Sequence, residues 1–158
     1  RECRSIHAAC VDHERLPIGG VLPRAMLVEG SNGVVLGMRT PGTPSSMALG
    51  FDPATKAVRW AQPIVPGSTT SSTDVPGDLL AGTLVTAGAE GTQAPWQLVA
   101  MDASTGTRRW SVVVPRSGEG SGPGSIVLTS TRVYVPHWTW LEVHDARDGR
   151  HLGTIGMW

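Results

Sequence analysis

The chain has 158 residues, 13 basic and 13 acidic side chains, and only 16% charged residues in all. A balanced charge offers no electrostatic footprint for nucleic acid, an anionic membrane or a highly charged ligand. No run approaches the ~18 apolar residues of a spanning helix, so no transmembrane segment is expected.

Glycine (20) and proline (12) punctuate short apolar runs along the whole length. That pattern suits many short strands joined by tight turns, and it excludes the long periodic stretches of a helical bundle. The first 20 residues stand apart as an N-terminal segment of uncertain structure. They hold the one dense set of reactive side chains, Cys3, His7, Cys10 and His13. Two thiolates and two imidazoles can hold zinc, but this spacing differs from the usual ligand knuckles. A Cys3–Cys10 disulfide closing a small loop is the plainer reading. Two unpaired thiols are the third. The chain opens Arg1-Glu2-Cys3 without a methionine, so a longer gene product is expected.

From residue 21 onward the chain repeats itself. The segment Asp52-Pro-Ala-Thr-Lys-Ala-Val-Arg-Trp60 returns 50 residues later as Asp102-Ala-Ser-Thr-Gly106-Thr-Arg-Arg-Trp110. A weaker third copy begins at Asp145, carries Gly149, and has Gly153 where the tryptophan would stand. Each copy follows an apolar run, with another such run further upstream. Units are expected at about 21–66, 75–115 and 121–156, each reading strand, loop, strand, turn, strand, with a further strand joining one unit to the next. Asp52, Asp102 and Asp145 are expected to accept backbone hydrogens inside a turn. Gly106 and Gly149 supply the positive φ that the turn needs, and Lys56 must adopt it at a cost. Trp60 and Trp110 are suited to packing between neighbouring sheets.

Asp-x-x-Thr-Gly-x-x-x-Trp after an apolar strand resembles the quinoprotein-type (PQQ-like) β-propeller repeat over about residues 24–156. The resemblance implies an all-β fold made of propeller blades, about three here, within a larger ring of about seven or eight. It also implies that the Asp-to-Trp segment ties consecutive blades together. A small β-sandwich or barrel is the competing architecture. Members that act as dehydrogenases hold a quinone and calcium and often join adjacent cysteines. No adjacent cysteines occur here, and the three repeat aspartates already have turn roles. No catalytic residue and no cofactor is therefore expected.

The remaining feature is Pro136-His137-Trp138-Thr139-Trp140. One reading is an alternating strand or tight hairpin with one tryptophan packed inward; the other is an aromatic patch in which Trp138 and Trp140 form a candidate contact for a protein or a sugar. Trp96 is expected to be packing, and His144 and His151 to be surface residues. The polar linkers and the proline-rich loops at 40–45 and 89–95 are further sites for partners. The expected function is a non-enzymatic scaffold binding a protein partner or further blades of its own chain. The alternatives are a fragment of a quinone-dependent dehydrogenase and a carbohydrate or envelope-polymer binder. The resemblance and the disulfide reading place the protein in the periplasm, outer envelope or cell exterior.

Overall fold

The computed structural model describes residues 21–39, 45–66, 75–90, 94–114 and 123–156. Cys3, His7, Cys10, His13 and Trp158 lie outside them. The described residues form twelve strands and no helix.

The strands make three antiparallel sheets, each a meander of four neighbours in chain order. The first sheet runs β1 (Val21–Glu29), β2 (Asn32–Arg39), β3 (Ser45–Phe51) and β4 (Val58–Pro63). The second runs β5 (Gly77–Leu80), β6 (Thr83–Ala89), β7 (Trp96–Asp102) and β8 (Arg108–Val114). The third runs β9 (Val127–Leu128), β10 (Arg132–Pro136), β11 (Trp140–Asp145) and β12 (His151–Gly156). The joining strand expected between units is thus the first strand of each sheet. The first strands face one another, β1 against β5 and β5 against β9.

The middle strands of the first two sheets read as near-continuous apolar runs because both of their faces are covered, whereas β10 and β11 alternate buried and part-buried residues. In β2, Val34 and Leu36 face the second sheet, while Val35 faces away from it. Leu84, Val99 and Met101 answer them from the second sheet and close the first seam. The opposite face of the second sheet, with Val85, Ala87, Leu98 and Ala100, meets Ile126, Leu128, Val133 and Val135 of the third. Fully burying one such side chain is worth about 1.5–3 kcal/mol, so these two seams dominate the cohesion of the described residues. A third apolar cluster of Met26, Val35, Met47, Leu49 and Phe51 lies on the far face of the first sheet.

A β-bulge recurs at one place in every sheet, at Gly50/Phe51, Ala100/Met101 and Val143/His144. It comes immediately before the Asp turn, where one extra residue re-aims the chain. All three Asp turns and the β1–β2, β5–β6 and β9–β10 hairpins lie at one end of the sheets. The Pro136–Trp140 hairpin lies at the other.

Candidate functional site

Each Asp turn is closed by the same pair of backbone bonds. The amide four residues on donates to the aspartate carbonyl, Lys56 to Asp52 (2.7 Å), Gly106 to Asp102 (2.8 Å) and Gly149 to Asp145 (2.9 Å), and the aspartate amide donates to the carbonyl five residues on, that of Ala57, Thr107 or Arg150. Within each turn the aspartate Oδ1 accepts an amide two residues on, from Ala54, Ser104 and Arg147. The position that closes the turn has φ of 74° at Gly106 and 76° at Gly149. Lys56 adopts 60° there, so the first copy keeps the same turn despite its side chain.

The second carboxylate oxygen makes a clasp. Arg59 reaches Asp52 Oδ2 at 2.7 Å and the carbonyl of Ser31 at 3.1 Å. Arg109 reaches Asp102 Oδ2 at 2.8 Å and Thr83 Oγ1 at 2.7 Å. Each arginine thereby ties its Asp turn to the neighbouring hairpin of the same sheet. Leu152 stands at the corresponding place in the third sheet, half-exposed, and makes no clasp there. The Ser104 hydroxyl and then Arg109 hold the Asp102 carboxyl well below the usual carboxylate range. The Thr55 amide and Arg59 lower Asp52 in the same direction.

The tryptophans cross from sheet to sheet. Trp60 donates its indole N–H to the carbonyl of Ala103 at 2.9 Å, and its ring lies on Gly106. A Cβ at Gly106 would sit 2.6 Å from Trp60 Cδ2. Trp110 repeats the arrangement on the third sheet, with its N–H on the Ala146 carbonyl at 3.1 Å and its ring on Gly149. Glycine is thus required at 106 and 149 twice over, by backbone conformation and by the ring above it. At Gly153 nothing lies within 4 Å of where a Cβ would be.

The solved structures that this chain resembles include a europium-containing methanol dehydrogenase. It matches with a TM-score of 0.59 at 14% identity, over 97% of this chain and 30% of that one. A quinohemoprotein alcohol dehydrogenase from Comamonas testosteroni matches with a TM-score of 0.50 at 15% identity, over 94% of this chain and 25% of that one. The fold is that of β-propeller blades. The chain spans less than a third of either dehydrogenase. No protein-family model and no curated protein matches it.

The third blade carries the chemistry that the other two lack. By the 43-residue repeat, Glu142 and His144 occupy the places of Val99 and Met101. They pair with Val135 and Val133 across β10 and share their face toward the second blade. Glu142 is 3% and His144 2% exposed, so the expectation of a surface His144 is corrected. That expectation used the histidine's nearness to a turn. The alternation of Leu141 and Val143 with Glu142 and His144 placed the polar pair on the buried face instead. His151 is exposed, with its ring edge-on to His144 at 5.3 Å.

His144 Nδ1 lies 2.9 Å from the Gly149 carbonyl, which can only accept, so Nδ1 carries a hydrogen. Its Nε2 lies 3.2 Å from Glu142 Oε2. His137 comes within 3.8 Å of the same carboxylate oxygen, and both of its ring nitrogens are buried without a hydrogen bond. Burial lowers the His137 pKa; the Glu142 charge opposes the shift and His144 adds to it. Among the described residues no group of His, Cys, Asp and Glu side chains has the arrangement to hold a metal ion.

Above this cluster sits the Pro136–Trp140 hairpin. The His137 amide donates to the Trp140 carbonyl at 2.8 Å, and the two rings stack with centroids 4.7 Å apart. Trp140 is half-buried by that stack, whereas Trp138 is 86% exposed. The two candidate contact residues are therefore different in kind. Trp96, which begins β7 of the second blade, is buried in the second seam. Glu29 and Asp78, which bridge blades through backbone amides, had no distinguishing signal in the sequence.

Proposed function

We infer that the chain is a run of blades from a larger β-propeller acting as a non-enzymatic scaffold, with the Trp138 hairpin as its docking point for a protein. The observation that carries this reading is the exposure of Trp138 on a hairpin closed by the His137 amide on the Trp140 carbonyl and by the stack of their rings. A large apolar ring presented by a fixed backbone loses little entropy on binding, and tryptophan is enriched at the centres of interfaces. The inter-blade tryptophan bonds support the rigidity of the platform. The proposed setting is the periplasm, outer envelope or cell exterior, and the proposed ring has about seven or eight blades.

A photo-crosslinking amino acid at position 138 of the full-length protein, expressed in its native cell, tests the reading. One discrete protein adduct is expected, with competition by unlabelled wild-type protein and none by Trp138→Ala. Adducts with sugar polymer, or none at all, would overturn it.

The likeness to two alcohol dehydrogenases favours a second reading, a fragment of a quinone-dependent dehydrogenase. That reading requires the full-length protein to reduce an electron-accepting dye with an alcohol after addition of the quinone and calcium. No dye reduction would leave the scaffold.

A further inference from the structure

Besides the Glu142–His144 pair, the two seams differ in where an acid bridges them. At the end of β1, Glu29 accepts the amides of Ala81 and Gly82 in the next blade's β5–β6 hairpin, at 2.6 and 2.8 Å. The register makes Leu80 its counterpart, since Glu29 pairs with Asn32 and Leu80 with Thr83. The acid of β5 stands two residues earlier, where Asp78 accepts the Leu128 amide at 2.9 Å. Ser130 and Thr131 then occupy the hairpin positions of Ala81 and Gly82. The Thr131 carbonyl accepts the Ala146 amide as the Gly82 carbonyl accepts that of Ala103.

The second hairpin is not a copy of the first. Ala81 and Gly82 have positive φ, and Ser130 and Thr131 do not. Among the described residues, no hydrogen bond is donated by the amides of Ser130 and Thr131. A cleft of about 210 Å³ opens there, lined by Leu80, Thr83, Arg109, Thr129, Ser130 and Arg147 among others, with no acidic side chain in its wall. Asp102 offsets the Arg109 charge. The Arg147 side chain is exposed and makes no ion pair among the described residues.

We propose that this cleft binds a small organic carboxylate from solution, taking the place that Glu29 fills from within the chain at the first seam. Arg147 supplies the charge, and the Ser130 hydroxyl and amide supply donors, the Thr129 hydroxyl being spent on the Arg132 carbonyl. A carboxylate is preferred because the same fold already uses one at the equivalent seam. The volume suits an acid of a few carbons.

Calorimetric titration of the full-length protein with sodium malonate, at constant ionic strength, tests this. Saturable binding with a Kd on the order of 1 mM is expected. Arg147→Ala should weaken it at least about tenfold. Leu80→Glu, which places a tethered carboxylate at the cleft, should abolish it. Arg147 is exposed, so its replacement keeps the test decisive if Leu80→Glu fails to fold. No saturable heat, unchanged affinity in Arg147→Ala, or an equal response to phosphate would overturn the proposal.

Discussion

Gly106 and Gly149 bear two constraints at once, a left-handed backbone and an indole ring where a side chain would begin. Gly106→Ala should therefore cost about 2 kcal/mol or more, read from the urea midpoint at unchanged slope. Lys56 holds the same conformation without glycine's freedom. Lys56→Gly should gain up to about 1 kcal/mol in the same measurement. His137 is kept neutral by burial, and its folded pKa lies below its unfolded value near 6.5. The unfolded chain thus binds more protons as pH falls through about 6.5, and stability falls with it. His137→Phe should flatten that part of the stability profile while keeping a ring against Trp140. Asp102 acts in a separate window. Its folded pKa is depressed, so its contribution is full above the usual carboxylate range and is lost as pH falls below about 4. Asp102→Asn should remove that acid-side loss.

At the scale of one strand, β11 shows how a repeat can exchange apolar packing for a polar pair. Val99 and Met101 close the first seam, and Glu142 and His144 take their places at the second. Glu142→Ala strands a buried histidine and should cost about 3 kcal/mol. Replacing the pair together, Glu142→Val with His144→Met, copies the second blade and should recover most of that loss. Thermal unfolding of the single and double variants checks both. The strands and Asp turns of all three blades were legible in the sequence, because apolar runs and turn residues are local signals. The burial of Glu142 and His144 was not, since an alternating strand does not say which face a neighbour will cover.

Across the described blades, two tryptophans add to the apolar seams, each anchored on the next blade's turn. Trp60→Ala should cost about 3–5 kcal/mol, and Trp60→Phe about 1 kcal/mol for the lost N–H bond. Hydrogen exchange should localise the first change to the seam between the first two blades, because repeat architectures are coupled mainly to nearest neighbours. Lys56 carries a side chain where a docking ring would need glycine, and Gly153 offers no ring forward.

The repeat, its turns and the residues that recur in them were determined by the sequence alone, since a turn's hydrogen bonds close within six residues. The tertiary structure decided which partner each tryptophan of the Asp-to-Trp segments meets and which acids bridge the blades. Those outcomes depend on atoms brought together from 36 to 53 positions apart, as Trp110 meets Ala146 and Glu29 meets Gly82. Such pairings follow from how the sheets stack, and no local pattern encodes them.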